Sequence, residues 1–180
     1  MKFGLATLPT DTAITPAALA RGAEERGFES LWFGDHSHIP ASRATPWPGG
    51  SELPEAYFRI LSPRLALTSL AAATERLRLA TGVLLVAQRV PIHTAKELAT
   101  LDHLCDGCLL VDVGSGWNIE EMSNHGTDPT TRSRLLGERI RAIVEVWTNE
   151  RAEFDGDLVD FDPIFSWPKP VTRPHPPIHV

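Results

Sequence analysis

The segment Leu77–Gly114 reads "LRLATGVLLV-AQRVP-IHTAKELATLDHL-CDG-CLLVDVG". Two short, continuously apolar runs, Leu77–Val86 and Cys108–Gly114, enclose a stretch with helical spacing of its apolar residues, Ile92–Leu104. An apolar run without polar alternation suits a strand covered on both faces, and strand–helix–strand at this spacing is the unit of a parallel sheet. The same alternation extends outward. Lys2–Leu8 reads as a first strand. Thr15 and Pro16 then open a helix that Gly27 closes, Thr15 as cap and Pro16 at the first helical position. Ser30–Gly34 is a second strand, and Ser62–Pro63 open a second helix after a long loop rich in proline and glycine. Arg132–Trp147 carries Leu135, Leu136, Ile140, Ile143, Val144 and Trp147 on one face and Arg134, Glu138, Arg141 and Glu145 on the other. The closing stretch Phe161–Val180 reads as a proline-rich extended connection that enters a strand at Ile178–Val180.

Alternating strands and helices permit a doubly wound sheet or a (β/α)8 barrel, and both place ligands at the carboxyl ends of their strands. "DHSH" (35–38), "QR" (88–89) and "GSGWN" (114–118) follow strands directly. The turns that lead into strands are short and carry no comparable chemistry. A barrel takes about 250 residues, so 180 residues are expected to supply roughly the first five of eight units, in a single domain over residues 1–180.

Composition excludes several functions. The chain is 42% apolar with a net charge of −6 and shows no basic stripe. Nucleic acid and anionic membrane are therefore not expected as partners, because phosphate must be neutralised by clustered Lys and Arg. No stretch has the length of a membrane span, and the start has the wrong flanks for a signal peptide. With only two cysteines, a reducing, cytoplasmic setting is expected.

Gly114-Ser115-Gly116 fails as a dinucleotide fingerprint, since Ile119 stands where the third glycine is required and the preceding strand is the fourth. It is either a tight turn or a place where backbone approaches a ligand, with Trp117 and Asn118 beside it. His36, next to Asp35, is either an ordinary loop histidine or a general base whose tautomer the carboxylate sets. His36 and His38 form H-x-H, but zinc takes three or four protein ligands and the rim offers no obvious others, so no metal is assigned. Cys105 and Cys108 lie at the opposite end and read as packing. Asp112, a charge within an apolar strand, faces either a polar barrel interior or a partner in the helix layer.

Taken together, "GFESLWFGDHSHIP", "RLRLATGVLLVAQRVPIHTAKELATLDHL", "VGSGWNIEEMSNHGTDPTTR" and "VDFDPIFSWPKPVTRPHPP" resemble the luciferase-like monooxygenase superfamily, more narrowly its coenzyme F-420-dependent branch. The resemblance implies a (β/α)8 TIM-barrel fold, here an incomplete barrel of about five strands. It also implies a flavin- or deazaflavin-dependent oxidoreductase that moves hydride between the cofactor ring and a small organic substrate. F-420 is the favoured cofactor and FMN the alternative. His36 takes the proton-transfer role. Asp35, Gly82, Val83, Leu85, Ser115 and Gly116 take cofactor contacts, with a non-proline cis peptide at Gly82–Val83. Trp117 and Asn118 would line the substrate side.

Sugar-phosphate dehydrogenases of that branch place a glutamate where Trp117 stands. Glu120 and Glu121, a turn further on, are not read as direct substitutes. The loops that hold the cofactor's phosphate tail in the resembled enzymes have no counterpart in these 180 residues, so weak binding by this chain alone is expected. Two other functions compete: a metal-dependent hydrolase built on His36 and His38, and a non-catalytic half-barrel that works only by pairing its open edges, as a homodimer or with another chain.

Overall fold

The computed structural model describes residues 1–180. Strands β1 (Gly4–Thr7), β2 (Ser30–Phe33), β3 (Arg78–Leu85), β4 (Leu109–Gly114) and β7 (Ile178–His179) form one parallel sheet in the order β1-β2-β3-β4-β7. Helices α1 (Pro16–Glu25), α2 (Pro63–Ala71), α3 (Pro91–Leu104) and α5 (Arg132–Thr148) make the crossovers, and the six-residue α4 (Ile119–Asn124) follows β4 directly. β1 and β7 are the free edges. This is an incomplete (β/α)8 barrel, a sheet of five strands that does not close.

Alternation along each strand separates two faces. Leu31, Phe33, Leu79, Leu109, Val111 and Val113 point into a single core shared with Leu67, Leu70, Leu98, Ile143 and Trp147 from the helices. Each leucine or phenylalanine so buried stabilises the fold by about 1.5–3 kcal/mol. Trp147 fills the largest volume and satisfies its indole N–H on the Ala95 carbonyl at 2.8 Å. On the other face, Trp32 and Asp112 are half-buried and His179 is exposed. That answers the question of Asp112. It sits on the inner face beside His179, and burial pushes its carboxyl above the usual carboxylate range while His179 partly offsets this.

The helix starts show which local signals act. Pro16, Pro63 and Pro91 each occupy the first turn, where a missing N–H costs nothing. Thr15 stands at the cap of α1, but its hydroxyl makes no capping bond, contrary to the sequence expectation. Gly27 closes α1 with φ +77°, a conformation that strains any side chain.

Two further features depart from the sequence reading. Residues 151–165 form an antiparallel hairpin, β5 (Arg151–Asp155) and β6 (Asp160–Phe165), where an extended connection was expected from Phe161 onward. The signal is faint because β6 contains Pro163 and both strands are largely polar on one side. Cys105 and Cys108, read as packing, are joined as a disulfide across the turn from α3 to β4. The sequence pattern cannot tell the two apart, because a C-x-x-C turn brings the sulfurs together in either case. After the hairpin the proline-rich segment is tied back by Asp102, whose buried carboxylate accepts from Thr172 N at 2.9 Å, and by Lys169, which donates to the Val146 carbonyl at the end of α5. No helix is long and apolar enough to cross a membrane.

Glu138 anchors the hairpin. Its buried Oε2 accepts from Leu158 N at 2.8 Å and Val159 N at 3.0 Å, and a Cβ on Gly156 would come within 2.6 Å of that oxygen. Glu138→Ala leaves two N–H groups without their charged acceptor. It should lower unfolding free energy by about 2–3 kcal/mol in urea denaturation; an unchanged midpoint would contradict this role.

Candidate active site

At the carboxyl ends of β1 to β4 lies a hollow of about 350 Å³. Its apolar surface comes from Leu8, Val83 and Leu85, its polar rim from Asp35, His36, Tyr57 and Trp117, and bare backbone is presented at Gly34, Gly82 and Gly116. The β3–β4 register shifts between Thr81 and Leu84, and the peptide Gly82–Val83 within this bulge is cis. A side chain on Gly114 would meet Val83 at 2.8 Å, and Gly116 has φ +85°. The glycines therefore keep Val83 inward and the turn close to the hollow.

His36 is held from two sides. Its Nδ1 lies 2.7 Å from Glu121 Oε2, and Trp117 Nε1–H donates to its Nε2 at 3.2 Å. A carboxylate can only accept and an indole can only donate. The ring is therefore the neutral tautomer with hydrogen on Nδ1 and a lone pair on Nε2. Tyr57 and Trp117 pack against it, with ring centroids 5.4 and 5.7 Å away. Neither His36 nor Glu121 is open to bulk water, at 7% and 0% side-chain exposure.

Glu121, not Asp35, sets this tautomer. Asp35 makes no bond to His36 and is engaged elsewhere: its carboxylate accepts from Arg89 Nη2 at 2.6 Å, Arg89 Nε at 3.0 Å and Leu85 N at 3.1 Å. It fastens the end of β2 to the end of β3 as a buried ion pair. Asn118, expected to line the substrate side, is buried and instead caps α4, its Oδ1 accepting from Glu121 N at 2.9 Å. That bond places the glutamate. Trp117 and Glu121 are four residues apart, one turn, so the two reach the same imidazole. Ser115 sits half-buried in the turn, outside the lining of the hollow. His36 and His38 do not converge on one point, since His36 is committed to Glu121 and His38 Nδ1 contacts Ser37 Oγ at 2.8 Å. Of the residues that carry the site, Tyr57 was not singled out from sequence, Arg89 was placed on the rim without a role, and Glu121 was weighed only as a substitute acid and set aside. The available signal was Asn118 as a cap, with glutamates in the first helical turn.

Burial raises the Glu121 carboxyl, but the hydrogen bonds from His36 and from the Ser37 N–H outweigh it and hold the group below its ordinary range. A carboxyl lowered on folding stabilises the native state above its unfolded pKa of about 4.3 and loses that contribution as pH falls through the folded value. Thermal denaturation scans of Glu121→Gln from pH 7 down to pH ~3 should show a shallower acid decline than the unsubstituted chain. Parallel curves would show that the pair is not formed.

Comparison with known proteins places this architecture. The sequence profile of the family described as luciferase-like monooxygenase matches residues 2–180. An uncharacterized protein of Mycobacterium tuberculosis is 45% identical over 183 residues, covering 100% of this chain and 64% of that protein. An F420-dependent glucose-6-phosphate dehydrogenase of Kineococcus radiotolerans is 33% identical over 145 residues, 78% of this chain and 39% of the enzyme. An FMNH2-dependent dimethylsulfone monooxygenase of Pseudomonas putida is 37% identical over 113 residues, 61% of this chain and 31% of the enzyme. Among solved structures, the monooxygenase RslO1 from Streptomyces bottropensis superposes with a TM-score of 0.83 at 26% identity, covering 99% of this chain and 52% of its own. The chain thus spans less than two thirds of the length of the relatives it matches. With a strand order, a rim and a sequence profile in common, the chain belongs to the luciferase-like monooxygenase family.

Proposed function

We propose that the hollow is the redox site of a flavin- or deazaflavin-dependent oxidoreductase acting on a small organic substrate, with coenzyme F-420 favoured over FMN. The observation that carries this reading is the Nε2 lone pair of His36, presented at the hollow by Glu121. The residues present fit a flat heteroaromatic ring. Val83 and Leu85 offer an apolar platform, and the backbone at Gly34, Gly82 and Gly116 offers close approach where a side chain would obstruct. Asn118 Nδ2 is a buried donor without an acceptor in the protein, and Gln88 Nε2 makes no hydrogen bond of normal geometry. Gln88 Nε2 lies 3.2 Å from where a Cβ on Gly116 would stand, so a ligand acceptor at that turn would satisfy it. F-420 is favoured because the likeness to an F420-dependent dehydrogenase extends over more of the chain than the likeness to an FMNH2-dependent monooxygenase.

When bound, the cofactor ring supplies a two-electron acceptor for hydride. The chain supplies the proton chemistry. A substrate hydroxyl displaces Trp117 Nε1–H from His36 Nε2 and gives its proton to that nitrogen. Glu121 keeps Nδ1–H in place and balances the imidazolium as it forms. Val83 and Leu85 exclude water beneath the reacting atoms, and Trp117 and Tyr57 restrict how the imidazole can turn.

Titration with this chain should quench F-420 fluorescence weakly, only at high protein concentration, and more strongly than that of FMN. In His36→Asn quenching persists, whereas reduction of F-420 by a panel of small secondary alcohols falls by about 10²–10⁴-fold. Glu121→Gln should lose rate with a displaced pH profile. Absence of quenching with both cofactors would overturn the proposal.

A further inference from the structure

A second cluster of donors sits one residue along the same loop, and it shares only Glu121 with the proton chemistry of His36. Ser37 Oγ lies 2.8 Å from His38 Nδ1, 2.6 Å from His125 Nε2 and 3.3 Å from Glu121 Oε1. One ligand atom from each of His38, Glu121 and His125 lies within 4.8 Å of the other two. Two elements beside the hollow bring them together: His38 comes from the loop after β2, Glu121 from α4, and His125 from the residue that ends α4. Glu121 is buried, His38 half-buried, and Ser37 and His125 exposed, so the point of convergence can be reached from solvent.

A hydroxyl has one hydrogen and two lone pairs. Around Ser37 Oγ it meets two imidazole nitrogens and a carboxylate oxygen, which is the donor set that zinc takes in two-histidine, one-glutamate sites. Zinc bonds of about 2.0–2.2 Å require the two imidazole nitrogens to close by roughly 0.5–0.8 Å and the carboxylate oxygen by roughly 1.2 Å around a point that the serine now occupies. Ser37 is exposed and can turn about χ1 to leave that point to the ion.

The surrounding shell suits such an ion. Glu121 keeps its second oxygen on His36 Nδ1, and Asn124 Nδ2 stands 2.8 Å from His38 Nε2. With His38 Nδ1 on a metal, Nε2 carries the hydrogen, and turning the Asn124 amide over presents Oδ1 to accept it.

We propose that His38, Glu121 and His125 form a binding site for a divalent transition ion of zinc type, beside the His36 pair. Magnesium and calcium, which take oxygen ligands, do not suit it. The site stands apart from the redox reading. Only one consequence rests on that reading: an ion on Glu121 withdraws negative charge from His36 and should slow cofactor-dependent turnover.

The test is zinc chloride titration by calorimetry, with metal analysis after dialysis, on Cys105→Ser/Cys108→Ser protein so that the cysteine pair cannot account for uptake. One equivalent of zinc should bind, undiminished by excess magnesium. Cobalt at the same site should give the intense visible absorption of a four-coordinate ion. His38→Gln and His125→Gln should each weaken zinc binding by more than about tenfold, with unchanged far-ultraviolet circular dichroism as the check on folding. No stoichiometric zinc uptake, or uptake unchanged in either variant, overturns the site. Because the readout is binding, it is independent of whether F-420 or FMN is ever reduced.

Discussion

The carboxylate of Glu121 is the constraint on which this rim depends. It is fully buried, and it accepts from His36 Nδ1, from the Ser37 backbone N–H and from the Ser37 hydroxyl. It therefore ties the loop after β2 to the helix after β4 across 85 residues of chain. Removing a charge from water is expensive unless hydrogen bonds replace hydration, and here the replacing donors belong to the loop that carries the base. The energy that makes the buried carboxylate tolerable is the same energy that fixes the imidazole.

The sheet makes this arrangement possible. Packing of the outward-facing residues of β2, β3 and β4 against the helices fixes the strand ends within one rim, and the Asp35–Arg89 pair locks β2 to β3 there. A buried ion pair of this kind is weak support for net stability but costly to break on one side, which suits a part that must hold its geometry. Asn118 then sets the first turn of α4, and that turn aims both Trp117 and Glu121 at the same ring from opposite nitrogens.

The frame was legible in the sequence because apolar run, proline-opened helix and apolar run repeat along it. Pro16, Pro63 and Pro91 mark helix starts, and Leu79, Val111 and Leu98 carry the burial that makes those starts productive. The hairpin at 151–165 was not legible, since Pro163 argues against a strand and its anchor is a glutamate on a helix some twenty residues earlier. The rim was legible as a place and misread in its wiring. Adjacency suggested that Asp35 serves His36, yet neighbouring residues at a strand end point to opposite sides. Asp35 goes to Arg89 while His36 finds Glu121. A contact between two loops leaves no trace in local spacing, so neither the histidine's true partner nor the convergence of His38 with His125 could be read from the chain alone.

Glu121 holds His36 as a neutral ring with hydrogen on Nδ1 and an electron pair on Nε2 that accepts from Trp117 at the rim of the hollow. Nitrogen-15 NMR of the histidine side chains at neutral pH reads this directly. The account predicts for His36 a protonated Nδ1 resonance and an unprotonated Nε2 resonance, with that preference lost in Glu121→Gln. A His36 signal with hydrogen on Nε2, or a tautomer preference unmoved by the substitution, would contradict it.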